Sequence, residues 1–443
     1  MKQTLVHFPH ELLGLPLFGF GWILIAWLTW CVIWAILTWK RHASLAPLRS
    51  QLPVMALVAI VIVFIMPWVE PHDDTGQPIG MAIRGYGVMM MLGVIAGIGL
   101  AVQRGRRMGI HPDIIFSLAL AMFLVGLAGA RLFYVIQYWN VYFYPPGESF
   151  QFMVIAGRVL DFTKGGLVVY GALIGALVAT LIFLHRHKLP KLAFADLVAP
   201  SMLIGLALGR IGCLLNGCCY GGVCPNDPLG MEFPLSSPPY VAQVHEGLLL
   251  GLELDDNNLV KNKVDRDSLA GKAGIKKDDR VQRIQFFEDG VLLSLGERGK
   301  AVVRQVSWQG DQLPERSVPV YPSQLLSSIN ALLLCFFLCT IYPYRTRDGQ
   351  VFALMLILYA ASRFLLEIIR SDEPHVYFSL FTPAQAVSLV ILMTGLGILI
   401  STFRPAPLAL PVQESVMMCE KNEDTNTGRA EYVLPDESRG PSR

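Results

Sequence analysis

The stretch Gly209-Arg-Ile-Gly-Cys-Leu-Leu-Asn-Gly-Cys-Cys-Tyr-Gly-Gly222 starts inside an apolar run, 194–214, and ends in a glycine-rich exit. It puts an arginine, Arg210, where the run would meet lipid, followed by Asn216 and three cysteines, Cys213, Cys218 and Cys219. A charge at membrane depth costs about 2.5–3.5 kcal/mol on insertion scales, so it is retained for a partner or a ligand. Similar apolar runs recur along the chain. Their length suits crossing about 30 Å of hydrocarbon at about 1.5 Å per residue. The chain therefore reads as an all-α polytopic membrane protein.

Nine spans are expected, at 14–38, 53–69, 86–104, 113–137, 165–185, 194–214, 322–343, 351–370 and 381–403. The connections alternate in charge. Lys40, Arg41 and Arg49 follow the first span, Arg104, Arg106 and Arg107 the third, Arg186, Lys188 and Lys191 the fifth, and Arg345 and Arg347 the seventh. Positive loops favour the cytoplasmic side, which predicts the N-terminus outside and the C-terminus inside. The initial apolar stretch is too long for a cleavable signal peptide, and no small-residue cleavage site follows it. A net charge of +2 argues against nucleic acid as a partner.

The loop 215–321 is too long for a connection and predicts a domain. Its middle reads as strands and turns: the apolar run Leu248–Leu254, a turn at 255–258, an alternating run 259–264, then a short helix and turn leading into a strand near Val281. The segment Ser268-Leu-Ala-Gly-Lys-Ala-Gly-Ile-Lys-Lys-Asp-Asp-Arg-Val281 resembles part of a PDZ domain, with Leu250-Gly-Leu252 at the carboxylate-binding loop and Asp278 where that family usually has glycine. The resemblance implies a small β-rich extracytoplasmic insert and a peptide or protein partner for it. The expected organisation is two extra N-terminal helices at 1–75, a membrane domain at 76–247 and 311–403 interrupted by the insert at 248–310, and a disordered cytoplasmic tail at 404–443. The tail is rich in Pro, Glu, Asp and Asn and poor in apolar residues.

With this topology, the polar residues of the spans gather at one depth. Tyr86, Arg131, Tyr170, Arg210, Asn216, Gln324, Arg363, Glu367 and Arg370 all fall at the outer ends of their helices, and the inner halves read as apolar. Arg363, Glu367 and Arg370 share one helix face at i, i+4 and i+7. Four arginines, Arg131, Arg210, Arg363 and Arg370, stand against a single carboxylate. Uncompensated buried charge is costly, so the surplus calls for an anion, and a phospholipid phosphate suits the planar guanidinium fork. The pairs Gly171/Gly175 and Gly205/Gly209 are spaced for close helix packing. The cysteines form no paired CxxC metal pattern, and no histidine or carboxylate neighbours them. With Cys213, Cys218, Cys219 and Cys224 facing an oxidising compartment, a disulfide pinning the exit loop is expected rather than a metal site, with Cys224 one candidate partner.

The signature Gly209–Gly221 resembles that of the prolipoprotein diacylglyceryl transferase family, roughly G-R-x-G-N-F-x-N-x-E-x-x-G. Further segments match in order: Arg84-Gly-Tyr-Gly87, Gly129-Ala-Arg-Leu-Phe-Tyr134, Gly165-Gly-Leu-Val-Val-Tyr-Gly171, Val320-Tyr-Pro-Ser-Gln-Leu325, Ser362-Arg-Phe-Leu-Leu-Glu-Ile-Ile-Arg370 and Phe381-Thr-Pro-Ala-Gln385. The resemblance implies transfer of a diacylglyceryl group from phosphatidylglycerol to the lipobox cysteine thiol of a prolipoprotein, with glycerol-1-phosphate leaving. It implies a bacterial inner-membrane enzyme with its site on the periplasmic side. Arg210, Arg363 and Tyr170 are the expected catalytic residues. Tyr86, Arg131, Asn216, Gly221, Gln324, Glu367 and Arg370 are the expected substrate-binding residues. No metal or other cofactor is required on this reading. Three positions depart from the family pattern: Tyr170 for a histidine, Cys213 for an asparagine and Cys218 for a glutamate. Tyr170 stands either as a base or as an orienting group. The rival reading is an inactive relative acting as an anionic-lipid-binding scaffold. An intramembrane metalloprotease is excluded because His10-Glu-Leu-Leu-Gly14 and His245-Glu-Gly-Leu-Leu249 both lack the second histidine of HExxH.

Overall fold

The structure is a computed structural model. It describes residues 4–42, 46–71, 77–143, 152–161, 166–225, 227–235, 237–255, 259–260, 264–277, 279–287, 290–296, 304–368 and 382–403. The tail 404–443, Arg370 and Asp278 lie outside them. The helices are α1 (Trp22–His42), α2 (Ala46–Ile60), α3 (Met66–Val69), α4 (Gly85–Arg107), α5 (Pro112–Gln137), α6 (Phe152–Leu160), α7 (Val169–Arg186), α8 (Lys191–Asn216), α9 (Pro238–His245), α10 (Leu269–Lys272), α11 (Ser323–Ile341), α12 (Gln350–Ile368) and α13 (Pro383–Ser401). The strands are β1 (Thr4–Phe8), β2 (Glu11–Leu12), β3 (Leu15–Pro16), β4 (Met81–Arg84), β5 (Arg280–Phe287), β6 (Gly290–Gly296) and β7 (Arg304–Gln309).

Among the described residues, nine helical segments are long and apolar enough to cross a membrane. One of them, Gln51–Val69, joins α2 to α3 through a wider π-helical turn at Val61–Ile65. Pro67 sits at the start of α3. It brings no N–H, and its ring would crowd the carbonyl four residues back, so the widened turn relieves both. The first segment begins at Trp22 rather than near position 14, because Glu11–Leu12 and Leu15–Pro16 pair as a small hairpin instead. Strand β1 pairs antiparallel with β4, the segment that leads directly into α4.

Helix α8 is central. Half of its membrane window is buried, against 28% or less for the other eight. Around it Leu197, Ala199 and Leu203 pack with Leu338 of α11 and Met355 of α12. The glycine pairs permit close approach of α7 to α5 and of α8 to α4. A Cβ on Gly129 of α5 would stand 2.5 Å from the Gly171 carbonyl of α7, so any larger residue would push those helices apart. Outward faces stay apolar and exposed, as at Met91, Phe123, Ile136 and Phe336, the surface expected to meet lipid.

The expectation that the inner halves of the spans are apolar fails at Asp196. This residue lies in the second turn of α8 and is fully buried. Its Oδ2 pairs with Arg345 Nη1 at 3.3 Å, and it accepts the backbone N–H groups of Gly349 at 2.7 Å and Phe352 at 2.8 Å. It therefore ties α8 to the start of α12 with the opening N–H groups that the helix cannot satisfy itself. Removing one partner of such a pair leaves the other charge buried alone, at about 3–5 kcal/mol. Asp196→Ala is expected to lower the thermal midpoint of the detergent-solubilised protein sharply. An unchanged midpoint would make the pair dispensable.

The interruption between α8 and α11 is a separate β-rich unit. Strands β5, β6 and β7 form a three-stranded antiparallel sheet with β6 in the middle. Helix α10 starts at Ser268, whose hydroxyl accepts from the Gly271 N–H at 3.0 Å. Leu248–Leu254 runs as turns rather than a strand, with only Leu254 making a bridge, to Val260. Gly247 and Gly251 both hold positive φ, 82° and 76°, and fold the segment back. The unit's core joins Leu250, Leu252, Val281, Leu293 and Trp308 to Tyr240, Val244 and Leu313. The packed unit thus reaches beyond 248–310 at both ends. Burial pushes the Tyr240 phenol up to about 12, and its hydroxyl donates to the Pro314 carbonyl at 3.0 Å.

Candidate active site

The C-terminal end of α8 carries the site. Arg210 is half-buried, and its guanidinium makes no hydrogen bond or ion pair with any described residue. Two residues on, Gly212 makes room for Tyr86 of α4. A Cβ there would stand 3.2 Å from the Tyr86 ring and 3.3 Å from its carbonyl. The Tyr86 phenol lies in the electrostatic field of Arg210, Cys213, Cys218 and Cys219.

The helix ends at Asn216 because Gly217 takes the left-handed conformation, φ 74°, and closes the last turn. That reversal folds the chain back over its own end. The sulfurs of Cys213, Cys218 and Cys219 then come within 4.8 Å of one another. Cys218 Sγ donates to the Cys213 carbonyl at 3.7 Å. Hydrogen bonds from the other two thiols hold the Cys218 thiol below the usual thiol range. Cys224 stands apart from this group as a buried free thiol.

Helix α11 pins the reversal. Ser323 Oγ donates to the Cys219 carbonyl at 2.6 Å, and Gln324 Nε2 to the Cys218 carbonyl at 2.7 Å. Gln324 is fully buried, and its Oε1 has no partner among the described residues. The Gly221 N–H donates to the Tyr321 carbonyl at 2.8 Å, and the Tyr321 N–H to the Gly222 carbonyl at 3.0 Å. Gly221 therefore serves through its backbone.

On α12, Arg363 Nη1 pairs with Glu367 Oε2, and the second carboxylate oxygen accepts from Thr382 Oγ1 at 3.3 Å. Thr382 caps α13 in a reciprocal capping box with Gln385. Glu367 is buried, and Arg363 is 15% exposed. Ser362 accepts from Asn330 of α11 at 2.9 Å, which fastens α12 to α11 beside Arg363.

Two expected residues stand differently. Arg131 is buried, with Nε directed to the Val159 carbonyl at 2.8 Å, Nη1 to Gly166 at 3.1 Å, and Nη2 to Arg158 and Asp161 at 2.8 and 2.7 Å. It also lies against the rings of Tyr134 and Phe143. These donors hold the α6–α7 connection instead of pointing at an open anion site. Tyr170, in the first turn of α7, is 56% exposed and makes no hydrogen bond with a described residue. The structure therefore groups Arg210, Tyr86, Asn216, Gly221 and Gln324 at the α8 reversal and Arg363 with Glu367 on α12. It joins neither Arg131 nor Tyr170 to them by a direct contact.

The family model for prolipoprotein diacylglyceryl transferase matches residues 77–401. The chain belongs to the prolipoprotein diacylglyceryl transferase family. It is 34% identical to the phosphatidylglycerol–prolipoprotein diacylglyceryl transferase of Rhodopirellula baltica, over 91% of this chain and 90% of that protein. Two clostridial relatives are each 25% identical over 72% of this chain: the phosphatidylglycerol–prolipoprotein diacylglyceryl transferase 2 of Clostridium perfringens over 91% of its length, and the enzyme of Clostridium tetani over 92%. The family match covers 77–401 and leaves α1 to α3 outside it.

Thr382, Asn330 and Ser362 were not singled out from the sequence as site residues. Thr382-Pro-Ala-Gln385 carried a readable signal, since Thr with Gln three residues later is a capping pattern. Asn330 and Ser362 carry no local pattern that links them, and only helix packing reveals them as partners.

Proposed function

We propose that this chain transfers the diacylglyceryl group of phosphatidylglycerol to the cysteine thiol of a prolipoprotein lipobox, forming a thioether and releasing glycerol-1-phosphate. The observation that carries the reading is Arg210: a half-buried guanidinium without a protein partner among the described residues, at the family's signature arginine. Such a group calls for an anion, and the lipid phosphate supplies one. Arg363, held in place by Glu367, grips the same headgroup from α12. Together they stabilise the charge that grows on the leaving phosphate as the C–O bond breaks, the contribution that usually dominates such steps. Tyr86, Asn216 and Gln324 shape the lipid and thiol sites around the α8 reversal, and Arg370 adds charge beyond α12. Arg131 acts at one remove, by fixing the connection in front of α7.

The protein lies in the bacterial inner membrane, with this end of the bundle toward the periplasm, the N-terminus outside and the C-terminus inside. The charge alternation of the loops supports that orientation. The β-rich insert recruits a peptide or protein partner in the manner of a PDZ domain. Its own core and sheet support an independent role. The direct test is mass spectrometry of a lipobox peptide incubated with phosphatidylglycerol vesicles and the purified protein. A mass gain of one diacylglyceryl group is expected, and a peptide that stays unmodified would sink the reading.

Tyr170 serves at the lipid interface as an orienting group and not as the base, because it is more than half exposed and hydrogen-bonded to no described residue. Tyr170→Phe is then expected to slow transfer by no more than about tenfold, the worth of one hydrogen bond at about 1–1.5 kcal/mol. The loss should not vary with pH. A loss of about 10²–10⁴ that shrinks at high pH would instead make Tyr170 a general base.

A further inference from the structure

We propose that Cys213, Cys218 and Cys219 form a three-thiolate site for a thiophilic metal ion of the zinc class, whose open fourth position takes the substrate thiol. The role of the fourth position rests on the transferase reading above.

The geometry comes first. Three sulfurs lie within 4.8 Å of one another at the end of α8. Tetrahedral zinc at about 2.3 Å from each sulfur needs them about 3.8 Å apart, a closure of no more than about one ångström. A disulfide would join two of the three and strand the last. The support is built as well. Gly217 turns the chain back, while Ser323 and buried Gln324 hold the carbonyls of Cys219 and Cys218 from α11. Outer groups of this kind orient metal ligands and set affinity. Gln324 Oε1, buried and without a described partner, lies on the same amide group that grips Cys218.

The chemistry follows. Three protein ligands with an open position are the arrangement of a reactive zinc site, while four close it. Arg210 precedes Cys213 by three residues on the same helix, which puts the two on one face about 5–6 Å apart at Cβ. A thiol at the fourth position would thus meet the phosphate bound at Arg210. A free thiol is only a few per cent ionised at neutral pH, whereas a metal-bound one is deprotonated outright. On binding, the S–H proton leaves to solvent. The sulfur electron pair then forms the C–S bond to the sp³ carbon of the lipid glycerol as the C–O bond to phosphate breaks. Glycerol-1-phosphate departs with the electron pair of the broken C–O bond on its phosphate oxygen, and the neutral thioether leaves the ion. Nothing is oxidised or reduced.

The test uses the full chain in phosphatidylglycerol nanodiscs, reduced, stripped with chelator and titrated with Zn2+ alone. Stoichiometric binding is expected, with Cys213, Cys218 and Cys219 shielded from maleimide by peptide mass spectrometry. Cys213→Ser, Cys218→Ser and Cys219→Ser should each bind Zn2+ at least tenfold more weakly, and Cys224→Ser should bind as well as the parent. Zinc binding that is unchanged in all three variants, or a Cys213–Cys218 disulfide in freshly isolated protein, would overturn the site. Co2+ loading reads the fourth position. A lipobox peptide should strengthen the sulfur-to-cobalt charge-transfer band, and its serine counterpart should not. An unresponsive band, or stripped protein that transfers lipid at the loaded rate, would overturn thiol activation while leaving the transferase reading intact. A responsive band in loaded protein that transfers no lipid would sink the transferase reading and leave the metal site standing.

Discussion

Arg210→Ala is expected to lower transfer by about 10³–10⁵-fold, the range lost when an arginine that stabilises a developing phosphate charge is removed. The side chain is half-buried and bonded to no described residue, so its loss breaks no pair with a described residue. The neighbouring Tyr86–Gly212 contact does not depend on it. Alanine introduces no polar group and favours the helix. The variant should therefore insert, fold and retain its thermal midpoint while losing activity on a lipobox peptide. Initial rates at saturating phosphatidylglycerol separate two modes of action. A guanidinium that only binds the lipid would raise KM and spare kcat, whereas one that follows the leaving phosphate lowers kcat. Full activity in a folded Arg210→Ala protein would end the phosphate-clamp account.

Arg363→Lys is the second large effect, at about 10²–10³-fold in kcat. Arg363 differs from Arg210 in being partnered: Glu367 holds one side of its fork, and Thr382 at the cap of α13 holds Glu367. An arginine so engaged has further N–H groups to offer an anion. A lysine in its place would pair with Glu367 as a point charge, without the planar fork that reaches carboxylate and phosphate together. Stability should change little, because the ion pair survives. Wild-type rates for this variant, with the pair intact, would make Arg363 part of a helix seam and nothing more.

The sequence by itself determined what depends on local composition. Nine apolar runs of spanning length define a membrane protein, because hydrocarbon admits only backbone that satisfies itself. The order Arg84-Gly-Tyr-Gly87, Gly209–Gly221 and Ser362–Arg370 was enough to point to the family. The loop between α8 and α11 was legible as an interruption from its length, and its short helix from the segment that begins at Ser268 and leads into a strand. The first span was placed too early, since Leu12 and Leu15 are apolar whether they sit in lipid or in a hairpin.

What only the tertiary structure decided is which polar groups have partners. Asp196 looks like a stray charge in α8 until Arg345 and the opening N–H groups of α12, some 150 residues later, come beside it. Arg131 and Arg210 are the same residue type at the ends of apolar helices. One spends its donors on backbone carbonyls, and the other keeps them free of any described residue. The three cysteines are close in sequence, but on a continued helix Cys213 would point away from Cys218 and Cys219. A left-handed glycine and two side chains of α11 turn them onto one another. Periodicity records which face of a helix a residue occupies, but the partner that gives a buried charge or thiol its meaning arrives through contacts distant in sequence.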